Sequence, residues 1–190
     1  MNSIPPSPMR IALAVSFVLF ALALLAAQAP GVKVAHRSGF SVIGIEVRTS
    51  NRKELSGDGV IGKQWEKFFQ DDVLGKIPNK TGSNIYAVYS DYASDRNGEY
   101  SFLIGAKVDD GSIAAPGFVL KTVPSGRYAE VTSEAGPIPK IVVEAWQRVW
   151  QMEDKHTLGG ARAYKVDYEV YDQRAADPQN SQVDLYIGLK

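Results

Sequence analysis

Phe40-Ser-Val-Ile-Gly-Ile-Glu-Val47 alternates between apolar and polar positions, the pattern of a half-buried strand. From about Gly59 to Leu74 the period lengthens. Val60, Ile61, Trp65, Phe68, Phe69 and Val73 recur at helical spacing, and Gly75 with Pro78 closes the predicted helix. Strands are predicted over Ile85 to Tyr92 and Tyr100 to Val108, joined by a turn that carries Asn97-Gly98. Phe118 to Val123 reads as a connecting strand, and Pro124-Ser-Gly126 turns into a strand from Arg127 to Thr132. Gly136-Pro137 then introduces a second helix, with Ile141, Val142, Ala145, Trp146, Val149 and Trp150 on one face. Strands over Tyr164 to Asp172 and Val183 to Leu189 end the chain.

The order β-α-β-β therefore occurs twice, over about 40–108 and 118–190. Placing Trp65 on Trp146 aligns Ile61 with Val142, Phe68 with Val149 and Phe69 with Trp150 without a gap. Tyr86-Ala-Val-Tyr89 likewise matches Tyr168-Glu-Val-Tyr171, and Leu103-Ile-Gly-Ala-Lys107 matches Tyr186-Ile-Gly-Leu-Lys190. The pattern predicts an α+β fold: a curved antiparallel sheet from a duplicated unit, two main helices, and a central groove between the halves suited to a ligand.

Strand alternation puts Val166, Tyr168 and Val170 on one side, expected beneath the helices, and Lys165, Asp167, Glu169 and Tyr171 on the other. In the last strand Leu185, Ile187 and Leu189 are expected inward and Asp184, Tyr186 and Gly188 opposite. This sorting gathers Glu169, Tyr171 and Tyr186 on the face away from the helices, with Tyr89 and Leu103 at the matching positions of the first half and Tyr128 beside Glu130. Aromatic walls around one carboxylate suit a flat or cationic guest. Tyrosines that only cover a solvated sheet face fit the same composition, because strands favour aromatic residues for packing. Trp146 is expected to anchor its helix in the core or to reach the groove edge.

Lys+Arg and Asp+Glu both number 21 in the 190 residues, so no basic excess points to nucleic acid. Cysteine is absent, which removes thiolate nucleophiles and zinc-thiolate sites. His36 and His156 have no expected partner for metal or triad chemistry. Gly57-Asp-Gly-Val-Ile-Gly-Lys63 imitates a phosphate-binding loop, yet Gln64 stands where a Ser or Thr would hold magnesium. No metal and no cofactor is expected. Arg10, the apolar run over residues 11–27 and Ala27-Gln-Ala29 read as an export leader over 1–29, either cleaved or kept as a membrane anchor with the domain outside. Residues 30–39 read as a linker and 40–190 as the domain.

Asp167-Tyr-Glu-Val-Tyr-Asp172, Asp177-Pro178 and Val183-Asp-Leu-Tyr-Ile-Gly-Leu-Lys190 resemble the C-terminal signature of the GyrI-like effector-binding domains, which also occur in AraC-type and MerR-type transcription regulators. The Tyr86 to Tyr89 strand, the Val123-Pro-Ser-Gly-Arg-Tyr-Ala129 turn and the helix around Trp146 resemble the same family, so the likeness covers roughly Phe40 to Lys190. The resemblance implies that Glu169 is the acidic group that meets a ligand. Many relatives end in Tyr-Ile-Pro-Ile where this chain has Tyr186-Ile-Gly-Leu189, and the regulators carry a helix-turn-helix for which the leader and linker leave no room. The expectation is a stand-alone module that binds a small cationic or amphipathic molecule through Glu169, Tyr171, Tyr186, Tyr89, Tyr128 and Trp146. Two alternatives are a hydrolase of strained genotoxic molecules with Glu169 as acid or base, as some stand-alone relatives imply, and a protein-interaction module.

Overall fold

The computed structural model describes residues 32–190. The expected leader, residues 1–29, lies outside the described residues. Two strands open the chain, β1 (Val32–Arg37) and β2 (Phe40–Ser50), followed by three helical segments, α1 (Asn51–Leu55), α2 (Ile61–Gln70) and α3 (Val73–Lys76). Strands β3 (Lys80–Ser90), β4 (Glu99–Val108), β5 (Val119–Val123) and β6 (Gly126–Thr132) lead to the long helix α4 (Lys140–Asp154), and β7 (Val166–Tyr171) and β8 (Asp184–Gly188) complete the fold.

Two expectations change at this level. The stretch read as a linker contains β1, which runs antiparallel to β6 with Val34 opposite Ala129. Its polar residues had concealed it: an edge strand needs one neighbour and keeps Lys33 and His36 exposed. The single helix expected from Gly59 to Leu74 is broken at Asp71-Asp72, where Asp72 adopts φ 44 and caps α3 by accepting from the Gly75 N–H at 3.2 Å. Aspartate tolerates that left-handed backbone and caps well, so the apolar rhythm survives a break that ends the hydrogen-bond ladder. The start of α2 is held from outside, because the Glu54 carboxylate of α1 accepts from the N–H groups of Val60 and Ile61 at 3.0 and 3.2 Å. Carboxylate at a helix N-terminus satisfies free donors and favours the dipole.

All strand pairs are antiparallel, in the order β1-β6-β8-β7-β3-β4-β2-β5. Strands β3 and β7 meet at the centre of this order. The links β1-β2 and β5-β6 are only two residues long, yet each joins strands from opposite ends of the order. The sheet must therefore curl until these links meet. A Cβ on Gly39 would lie 2.9 Å from the Ser125 nitrogen, so the links touch.

Curling buries both faces. The helix side holds the larger core, in which Phe68 of α2 and Ile141, Ala145 and Val149 of α4 pack on Ile43, Phe102, Ile104, Leu185 and Ile187. The helix-free side holds a second cluster, Val42, Val88, Leu103, Val123, Tyr128 and Tyr168, all at most 4% exposed. At the tightest point Gly44 faces Gly105 across β2 and β4, and a Cβ on Gly44 would sit 2.0 Å from the Ile104 carbonyl oxygen. Backbone cannot step aside there. Gly44→Ala is expected to destabilise the domain by about 1–3 kcal/mol through overpacking, read as a lower urea midpoint with an unchanged slope.

Candidate functional site

Position 169 lies where the halves join. In the register of β3 with β7, Ala87 stands opposite Glu169, and Leu185 of β8 flanks Glu169 on the other side. Ala87 and Leu185 belong to the larger, helix-side core, so the Glu169 side chain points beneath the helices and is 1% exposed. The small methyl of Ala87 leaves room on the central line for one carboxylate.

Three neutral donors meet it. The Tyr89 hydroxyl and the Trp146 indole Nε1–H donate to Oε1 at 2.7 and 2.6 Å, and the Tyr171 hydroxyl donates to Oε2 at 2.7 Å. Tyr89 packs against Trp146 with ring centroids 4.9 Å apart and planes inclined by 64°, and Tyr171 packs against Trp65 of α2 with the same separation and inclination. Two matching Tyr–Trp pairs thus bracket one acid, each pair joining a residue from the first half of the chain to one from the second. They differ at the rim, where Trp65 is only half-buried and stacks on Phe69, which is 64% exposed.

Burial pushes the Glu169 carboxyl above its ordinary value, against the lowering effect of the three hydrogen bonds. Burial, with the Glu169 charge beside them, also drives the Tyr89 and Tyr171 hydroxyls well above theirs, so both remain protonated donors. Among the described residues no Lys, Arg or His makes an ion pair with Glu169. An acid desolvated without a counter-ion is costly and marks a place where charge is to be met from outside. Tyr171→Phe removes the only side-chain donor to Oε2 among the described residues and should cost about 1–3 kcal/mol, whereas Tyr89→Phe leaves Oε1 its indole partner and should cost about 0.5–1.5 kcal/mol. Paired urea titrations measure the difference.

The structure divides the residues singled out in the sequence. Glu169, Tyr171, Tyr89 and Trp146 converge on the helix side, whereas Tyr186 and Tyr128 lie on the opposite face. There Tyr186 stacks on Tyr168 with centroids 4.6 Å apart and planes 9° from parallel, and Tyr128 packs edge-on against Tyr168. Tyr186 lines a separate cavity of about 260 Å³ with Arg37, Phe40, Tyr86 and Tyr168. The expected sorting of β8 agrees with the structure, but that of β7 is reversed: Val166, Tyr168 and Val170 pack in the second cluster, away from the helices. Leu103 also belongs there, opposite Val88, while Tyr89 faces the helices opposite Phe102. The sequence reading passed over Trp65 as a wall of the site, and over Tyr92, Arg162 and Asp167, which form a buried polar group next to it. Two acids at alternate positions of one strand, Asp167 and Glu169, were the available signal for the latter; nothing in the pattern marked Arg162. Among the described residues no cluster of His, Cys, Asp or Glu could hold a metal ion.

Residues 34–189 match the family Cass2, integron-associated effector binding protein. The chain belongs to this family of effector-binding domains, and its GyrI-like fold is that of its structural neighbours. It is 32% identical over 148 residues to YobU of Bacillus subtilis, covering 77% of this chain and 90% of that protein. It is 34% identical over 164 residues to the transcriptional regulator BrlR of Pseudomonas aeruginosa, covering 83% of this chain but only 54%, about half, of the regulator. The integron cassette protein Cass2 from the mobile metagenome of Vibrio cholerae superposes with a TM-score of 0.67 at 27% identity, covering 85% of this chain and 97% of that one. SAV2435 bound to tetraphenylphosphonium superposes with a TM-score of 0.68 at 16% identity over 84% of this chain and 93% of that one, a likeness of fold.

Proposed function

We propose that this domain binds a small organic cation with substantial apolar surface, held by Glu169 and walled by Tyr89, Tyr171, Trp146 and Trp65. The observation that carries the reading is the buried Glu169 carboxylate, which among the described residues has three neutral donors and no cationic partner. A cation arriving there finds a ready counter-charge and aromatic faces, and shedding water strengthens both attractions. Membership of an effector-binding family supports the same reading, and the tetraphenylphosphonium held by SAV2435 supplies a probe of suitable chemistry.

With Glu169 at 1% exposure, a ligand reaches it only if aromatic side chains move apart. The half-buried Trp65 and exposed Phe69 on the short helix α2 make that rim the easier side to open. Calorimetric titration of the described domain with tetraphenylphosphonium tests the proposal. Saturable binding that collapses in Glu169→Gln supports it, and binding that survives the substitution unchanged rejects it.

A further inference from the structure

Strand β7 carries two carboxylates on one face, Asp167 and Glu169, exposed by 0% and 1%. They are treated differently. Asp167 Oδ1 accepts from the Gly188 N–H at 2.8 Å, and its Oδ2 accepts from Arg162 Nη2 at 2.6 Å and from the Tyr92 hydroxyl at 2.7 Å. Among the described residues, Glu169 receives neutral donors alone.

Arg162 comes from the loop before β7 and is bridged by its backbone to Leu189. Its guanidinium carbon lies 4.3 Å from the Tyr164 ring centroid and 5.7 Å from that of Trp146, the indole whose N–H is bonded to Glu169. Arg162 Nη1 also reaches Glu153 of α4 at 3.4 Å. A buried cation thus stands beside the same indole as the buried Glu169 carboxylate; other acids, Asp167 and Glu153, hold its two terminal nitrogens, while its Nε has no partner among the described residues. Burial works against its charge, and Asp167 together with Tyr92 and Tyr164 nonetheless raises the guanidinium above its ordinary value.

We propose that Asp167 determines the charge selectivity of the site: by consuming the charge of Arg162 it leaves Glu169 as an uncompensated anion, so that the pocket accepts cations. This rests on the cation-binding reading above. Without Asp167 the field of Arg162 would reach Glu169 through a buried, low-dielectric layer, where one unit charge several ångströms away matters far more than in water. The remaining titratable groups near Glu169 are Tyr89 from β3, Tyr100 from β4 and Tyr171 from β7, with Tyr92 beyond them against Asp167, and α2 contributes the uncharged Trp65. None of these tyrosines can replace Asp167 as a counter-ion at neutral pH; Glu153, at 3.4 Å and 22% exposed, remains beside Arg162 as the longer and more solvated partner.

The test compares the parent, Asp167→Asn and the double variant Asp167→Asn/Arg162→Met. In Asp167→Asn the amide oxygen can still accept from Gly188 while the negative charge is gone. Tetraphenylphosphonium affinity is expected to fall about tenfold or more in the single variant and to return to within about threefold of the parent in the double, where both charges are absent. A second readout needs no ligand: the Glu169 titration, followed by carboxyl-carbon NMR, should move to lower pH in Asp167→Asn and return in the double variant. A residue with only a structural role would make the double variant bind no better than the single and would leave Glu169 without a downward shift; either result overturns the proposal. Should Asp167→Asn fail to fold, the folded double variant decides alone, since a loss above about tenfold in it rejects charge cancellation. Should the parent fail to bind tetraphenylphosphonium, the cation-binding reading falls, and the titrations still decide whether Asp167 shields Glu169.

Discussion

Glu169→Gln is expected to leave the domain at least as stable as the parent while weakening tetraphenylphosphonium binding by on the order of 30-fold or more, the scale of removing one partner of a desolvated charge pair. The stability half follows from the ligand-free state. Glutamine keeps an oxygen for Tyr89 and Trp146 and places its amide beside the Tyr171 hydroxyl, which can accept. It thereby removes a buried charge that no cation among the described residues offsets. The pH dependence has a definite sign. Because burial raises the folded-state pKa of Glu169 above the ordinary 4.5, the folded protein retains a proton that the unfolded chain has already released between those two values. Stability contributed by this group is therefore intact below 4.5 and declines as pH rises through the raised value. Binding runs the other way, because a cation needs the ionised acid: affinity rises through the same window and then levels. Denaturation and titration series across pH should show both slopes in the parent and neither in Glu169→Gln.

Much of the architecture was legible because it rests on local signals. The strands around Tyr86, Tyr128 and Leu185 alternate, α4 buries Ile141, Ala145, Trp146 and Val149 at helical spacing, and the expected α+β class with an antiparallel sheet is the one observed. The reversed face of β7 has a physical cause. Alternation identifies the core side of a strand only when the other side is wet, and curling of the sheet buries β7 on both sides. Val166, Tyr168 and Val170 looked like the inner face because they are apolar. They do pack inward, but into the second cluster. Glu169 looked exposed because it is charged, yet donors 80 and 23 residues away in sequence make its burial tolerable. Such long-range pairing leaves no trace in periodicity. The resemblance to effector-binding domains nevertheless singled out Glu169, which the register sets opposite the small Ala87 at the centre of the sheet.

The neighbouring pair supplies the largest expected loss of stability. Arg162→Met should cost about 3–5 kcal/mol, because it strands Asp167 in the core with only the Gly188 N–H and the Tyr92 hydroxyl for partners. Several contacts fail together: the guanidinium also lies over the Tyr164 ring and reaches Glu153, which in turn accepts from the Tyr164 hydroxyl at 2.5 Å. The outcome separates charge from packing. If the cost is chiefly an unpaired buried acid, adding Asp167→Asn to Arg162→Met should recover most of it, since a buried ion pair replaced on both sides is often close to neutral while a half-pair is not. If the arginine stem and its stacked rings carry the stability, the double variant will unfold as early as the single. Urea denaturation of the four combinations gives the coupling directly, and a coupling energy near zero would show that Arg162 serves the core by shape alone.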